Sequence, residues 1–359
     1  MSSIKCNNSG LRYYLSSLLM VLLPMTSWAQ IQLGDDIQLS GFGTVSAAKS
    51  DNSTPVLFSR NITDEWCFDC DTTFGAQLDW QVTANIRTTV QVLKRPQDTF
   101  SNPELERAHI EFAYDNLRFK AGRLRIPLYI MSEYYYVSSA YPWLRLPPEV
   151  YANNLGITHY EGATLDWEIQ LNDELQLTFS PYISVPEKER YELYGADFTL
   201  DTDYAFGFSS ELYFDENFIH LAYSRVSTEQ EGLVTGDVDY NLNFFSIGLS
   251  YYIGDALHFQ AETLLEKELS SNWYAGFDYR IGQFTPYVQY GQARKGKDSQ
   301  SYLIGLRYDL HPQINVSAEW QRIEGDKKMI SGEFTELQNP MKPFASKVDL
   351  VSVGLSFTF

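Results

Sequence analysis

Apolar and polar residues take turns along almost the whole of this chain. In Leu350–Phe359, Val351, Val353, Leu355, Phe357 and Phe359 fall on one side of an extended backbone. Ser352, Gly354, Ser356 and Thr358 fall on the other. Successive side chains of a strand point to opposite faces, so this period of two predicts a strand with one apolar and one polar surface. The same signature recurs in the rows Ile86-Thr88-Val90-Val92, Ala108-Ile110-Phe112-Tyr114, Trp273-Ala275-Phe277-Tyr279 and Tyr302-Ile304-Leu306-Tyr308-Leu310.

The pattern predicts strands near 37–46, 72–82, 84–93, 106–114, 116–124, 157–168, 174–183, 204–214, 217–226, 242–252, 255–265, 272–281, 283–292, 301–310, 313–323 and 348–359. Tight connections such as Asp115-Asn116, Gly254-Asp255 and His311-Pro312 alternate with long ones, among them 47–71, 125–156, 184–203 and 324–347. The segment Tyr194–Thr202 alternates weakly. It is read as loop, because counting it would give an odd number of strands and reverse the short-long rhythm.

No later segment reaches the roughly 20 apolar residues that a spanning helix needs. Strands cross a membrane only as a closed barrel, which pairs every backbone N–H and C=O. The predicted class is therefore all-β: a transmembrane antiparallel β-barrel of about sixteen strands, apolar outside and polar inside. A barrel of that size encloses water rather than a packed core. At the front, Lys5 and Arg12 precede the apolar run Leu15–Leu23, and Ser27-Trp28-Ala29 follows. That arrangement predicts a secretory signal peptide over residues 1–29, leaving 30–359 as one barrel domain.

Composition narrows the function. The formal charge is −19, and residues 1–29 hold two basic and no acidic side chains, so the remainder carries −21. Such acidity repels nucleic acid. After the leader two cysteines are left, Cys67 and Cys70, too few for a disulfide scaffold. Their C-x-x-C lies among Asp64, Glu65, Asp69 and Asp71, with no βαβ unit beside it. A local disulfide pinning an exposed loop is the reading adopted, and neither metal nor cofactor is expected. The histidines His109, His159, His220, His258 and His311 form no recognisable frame with a serine and an acid, and no catalytic motif occurs. An embedded hydrolase and a closed structural or adhesive barrel are the alternatives to a channel.

Cations gather on three consecutive strands. The inward rows carry Arg87, then Arg107 and His109, then Arg118 and Lys120, and Arg123 and Arg125 lead into the next loop. Neighbouring strands lie about 4.8 Å apart, so these residues would share one wall. Glu106 and Glu111 are available to neutralise them. Arg123 is out of phase with the row unless Gly122 marks a bulge. The loop at 125–156 is rich in Tyr, Pro and aliphatics, as in Tyr134-Tyr135-Tyr136 and Tyr141-Pro142-Trp143, so it should pack against something.

In its terminal aromatic strand, its rhythm of turns, its Arg-rich strand and this third loop, the chain resembles the Gram-negative outer-membrane porin superfamily, of the general-porin type. The resemblance spans the chain after its leader in architecture. It implies a third loop folded into the lumen, placing Glu133, Tyr134, Tyr135, Tyr141, Trp143, Arg145 and Glu149 opposite the basic wall at a pore constriction. The polar interior rows and the lack of a catalytic set predict a passive diffusion channel for small hydrophilic solutes or ions, and the cations of the basic wall, set at a narrow passage, predict a local preference for anions or carboxylate-bearing solutes. Lipid, lipopolysaccharide and the barrel-assembly machinery, reached through the Phe359 strand, are the implied partners, and the assembly a homotrimer.

Overall fold

The computed structural model describes residues 30–359 apart from 97–102, 153–157, 194–195, 231–237, 268–269, 296–297, 327–331, 339 and 342; at 191–193, 196–198, 230, 238 and 270 it describes the backbone alone. The proposed signal peptide, 1–29, lies outside the described residues. The strands are β1 (Ile31–Gln32), β2 (Ile37–Ser50), β3 (Thr73–Thr83), β4 (Ile86–Lys94), β5 (Glu104–Tyr114), β6 (Leu117–Arg125), β7 (His159–Gln170), β8 (Leu175–Ser184) and β9 (Glu187–Leu193). They continue as β10 (Ala196–Phe214), β11 (Asn217–Gln230), β12 (Val238–Ile253), β13 (Leu257–Glu266), β14 (Ser270–Tyr279), β15 (Phe284–Ala293), β16 (Ser299–His311), β17 (Ile314–Gly325) and β18 (Lys347–Thr358).

All described pairings are antiparallel, and Gly354 of β18 pairs with Ser46 of β2, closing the ring. β8 pairs directly with β10, Ser180 opposite Ser209. β9 pairs with the upper half of β10, and β1 is a two-residue addition to β2. The closed barrel therefore has sixteen strands. A closed barrel has no free edge, so each of these sixteen has two partners, while β1 and β9 are additions with one each.

One predicted loop is corrected. Within 184–203, β9 pairs antiparallel with Ala196–Thr202 of β10, so 196–202 is strand rather than loop; 194–195 lie outside the described residues. The strand count survives because β9 continues β8 past Val185-Pro186. Tight turns lie at one end of the barrel, where Asp115, Asp215, Gly254 and Gly282 take positive φ values of 53, 51, 66 and 61°. Asp and Gly are among the residues that adopt this left-handed conformation most readily.

The two faces follow the period of two. Ile110, Ile304 and Leu306 are exposed on the outside, while their strand neighbours His109, Leu303 and Ser301 turn inward and Ser301 is fully buried. An apolar exterior over a polar interior is the arrangement lipid demands. The third loop, 126–158, carries single 3₁₀ turns at Ser132–Tyr134 and Ser138–Ala140 and a short helix at Pro148–Tyr151. Its Leu128, Trp143, Val150 and Tyr151 are buried against Leu264, Tyr274, Tyr287 and Leu303 of β13–β16. The first loop packs Val56, Leu57 and Ile62 onto Ile323, Val348 and Leu350 of β17 and β18. Cys67 and Cys70 are joined by a disulfide within it.

Candidate functional site

The third loop is fastened to the wall made by β13–β18. The backbone N–H of Ile130 donates to Glu262 Oε1 at 2.9 Å, and Tyr151 Oη donates to Glu262 Oε2 at 2.6 Å. The N–H of Leu144 donates to Glu319 Oε1 at 2.6 Å. A loop has few internal partners for its N–H groups, and buried donors must be satisfied. Inward carboxylates at these two heights provide for that. Arg145 donates to both oxygens of Asp71 in the first loop, at 3.1 and 2.8 Å. Burial alone would raise the Asp71 carboxyl, but Arg145 and Arg60 outweigh it and hold it below the ordinary carboxylate range.

Space for the loop comes from inward glycines. A Cβ at Gly248 would meet Ile130, one at Gly291 the Glu149 carboxylate, and one at Gly354 the Leu144 side chain. Glu149 is fully buried in this seam, and burial pushes its carboxyl up to about 7.

What the loop leaves open is a water-accessible cavity of about 560 Å³ along the opposite wall, lined by β3–β8, β10 and β11. Arg87, Arg107, His109, Arg118, Lys120 and Arg125, residues expected on one wall, all line it. Arg123 does not: its side chain binds Glu161 at 2.6 Å and Glu187 at 3.2 Å instead. Arg123 is one residue out of phase with Arg118, Lys120 and Leu124, and Glu161, its partner across the strand register, holds it there.

The wall is not simply basic. Arg87 pairs with Asp79 at 2.9 Å, Lys120 with Asp166 at 2.7 Å and Glu111 at 4.0 Å, and Arg118 with Glu168. Arg125 and Glu106, both buried, lie 2.6 Å apart. Five cations line the cavity against the six carboxylates Asp79, Glu111, Glu133, Asp166, Glu168 and Glu211. The wall is thus of mixed charge: Glu106 and Glu111 neutralise cations, as the sequence reading allowed, and Asp79, Asp166 and Glu168 join them. The cause is lateral: Glu111 stands directly between Arg87 and Lys120 in the strand register, and Arg118 stands opposite Asp166. Cross-strand neighbours this close interact directly.

Of the loop residues, Glu133 lines the cavity and Tyr134 is exposed. Enclosure would raise the Glu133 carboxyl, yet Arg107, Lys120 and Arg125 hold it below the usual range. Tyr141, Trp143, Arg145 and Glu149 are buried in the seam with the far wall, where Trp143 meets Tyr274 edge-on at 5.7 Å. Tyr135 donates from its hydroxyl to the Tyr151 carbonyl at 2.9 Å. These five hold the loop and do not face the cavity.

One arrangement had no sequence signal. Ser250 Oγ lies 2.8 Å from His258 Nε2, whose Nδ1 lies 2.7 Å from Asp278 Oδ2. The three sit on adjacent strands at 8 and 20 residues' separation. Acyl transfer also needs donors aimed at a developing oxyanion. The strand backbone around Ser250 is paired into the β11–β12–β13 ladders. The relay satisfies buried polar groups near the tight-turn end of the lumen.

The comparisons agree with this geometry. The family model for Gram-negative porins matches residues 178–328. No curated sequence matches the chain. Among solved structures, OmpF of Salmonella typhi, in complex with daunomycin, has a TM-score of 0.64 at 12% identity, over 92% of this chain and 100% of its own. An anion-selective porin from Comamonas acidovorans has 0.61 at 10% identity, over 90% and 99%. The outer-membrane channel DcaP of Acinetobacter baumannii has 0.58 at 12%, over 92% and 100%. At such identities these likenesses show the fold, and the family match covers part of the chain. Residues 178–328 thus match the Gram-negative porin family, and the barrel as a whole has the fold of outer-membrane porins.

Proposed function

We propose that the protein is a passive diffusion channel for small hydrophilic solutes and ions, weakly selective for charge and without catalytic activity. The carrying observation is the mixed-charge cavity between the third loop and the β3–β8 wall. Its alternating cations and carboxylates solvate solutes of either sign. Because five cations face six carboxylates, the anion preference expected from the cations alone loses its electrostatic basis. Fields in a narrow, low-dielectric passage are set by the nearest charges, not by distant loops screened over about 8 Å. A homotrimer in contact with lipopolysaccharide, assembled through recognition of the Phe359 strand, completes this reading.

Planar-bilayer recording of the purified barrel tests it. Discrete conductance steps with a reversal potential close to zero in a tenfold salt gradient are expected. A closed barrel without steps would defeat the channel reading, and a strongly anionic reversal potential would defeat weak selectivity. Ester hydrolysis abolished by Ser250→Ala would instead establish an embedded hydrolase.

A further inference from the structure

Outside the channel, three side chains converge at the long-loop rim, where the β9–β10 hairpin leaves the barrel. His159 Nε2 lies 2.9 Å from Glu189 Oε1 and 3.6 Å from Glu187 Oε1. The three donor atoms lie within 4.8 Å of one another, and the His159 side chain is 2% accessible. Ligands of a tetrahedral zinc ion, at about 2.0–2.2 Å from the metal, stand roughly 3.3 Å from each other. The two histidine–carboxylate spacings, 2.9 and 3.6 Å, bracket that value.

The geometry points to a binding site for a single divalent ion of the zinc type, held by His159, Glu187 and Glu189. The donor set, one imidazole and two carboxylates, favours zinc and its neighbours over magnesium or calcium, which prefer oxygen alone. Three protein ligands leave one position for water. The site is also oriented from behind: the Glu161 N–H donates to Glu187 Oε2 at 3.2 Å. Such outer contacts fix ligand direction.

The surrounding charges set the competition. Arg123 Nη2 lies 3.2 Å from the same Glu187 oxygen that the metal would take, and Arg95 acts on Glu189. Glu106 bears on His159 from the barrel side. The ion therefore displaces Arg123 from Glu187, leaving that guanidinium to its 2.6 Å contact with Glu161. Because β9 pairs only with β10 in the described ladders, the metal would tie this hairpin to the root of β7.

Calorimetric titration of the full barrel in detergent, stripped with chelator, with zinc chloride is the test. One saturable site is expected, unaffected by equimolar magnesium chloride. His159→Ala and Glu189→Gln should each weaken it at least tenfold. Arg123→Gln should tighten it several-fold by removing the competing cation, a gain that no loss of folding can imitate. Heat-modifiable gel migration of each variant checks that the barrel is closed. Absence of a saturable site, or zinc binding left unchanged in both ligand variants, would overturn the proposal.

Discussion

Arg107 reaches across the cavity to Glu133: its Nη2 lies 2.7 Å from the carboxylate Oε2 and 2.6 Å from the Glu133 backbone oxygen. This is a contact between the channel wall and the loop that narrows it, made at the one carboxylate among the loop's described residues that lines the cavity.

Replacing Glu133 by glutamine should leave the loop in place, because Glu262 and Glu319 still hold it by Ile130, Tyr151 and Leu144. The local balance then changes from five against six to five against five. A reversal potential moved toward anions in a salt gradient, with conductance changed less than twofold, is the expected result.

Neutralising Arg107, Arg118 and Lys120 together should do the opposite. Their partners Glu133, Glu168, Asp166 and Glu111 would lose their counter-charges. A clear shift toward cation selectivity should follow. No shift would show that these residues do not border the conduction path.

Glu149 should make the loop seam sensitive to pH. Below its ordinary value of 4.5, the carboxyl is protonated in both folded and unfolded chains. Between 4.5 and about 7 the unfolded chain ionises while the folded seam keeps its proton, so stability falls as pH rises through this window. Glu149→Gln should remove that dependence. Thermal unfolding at pH 5 and pH 8 compares the two: the wild type should lose ground at pH 8, and the variant should not.

Gly354→Val tests the fit between wall and loop. Its added carbons would occupy the volume of the Leu144 side chain. Overpacking of this sort costs about 1–3 kcal/mol. The loop can escape by moving into the cavity, so a smaller single-channel conductance should accompany a modest loss of thermal stability.

Much of this architecture is legible in the residues because a barrel repeats one rule. Ile304 and Leu306 outside, with Ser301 inside, obey the same alternation that Val351 and Ser352 do. The reading failed where the alternation slips. The register of β10 shifts between Thr202 and Tyr204, in the polar run Asp201-Thr202-Asp203, and Val185-Pro186 separates β8 from β9. There the pattern no longer shows a continuous strand. A second slip, opposite Gln91 and Val92, leaves Glu106 as the extra residue, turned toward Arg125.

The channel was half legible for a related reason. Inward cations can be picked out on each strand separately. Their counter-charges belong to the lateral direction, which depends on register: Asp166 reaches Lys120 from 46 positions away in the chain. The loop's anchors are still more remote. Glu262 and Glu319 look like ordinary lumen residues until the loop is seen beside them.

Those anchors also order events in time. The contacts from Ile130 to Glu262, Leu144 to Glu319 and Arg145 to Ser352 span 132, 175 and 207 residues. Each needs a strand from the second half of the chain to be in position. Contacts so distant in sequence carry the largest closure entropy and form late. The loop's full set of anchors therefore exists only once β13, β17 and β18 all stand in the wall; without β17 and β18 it keeps its hold on Glu262 and lacks those on Glu319 and Ser352.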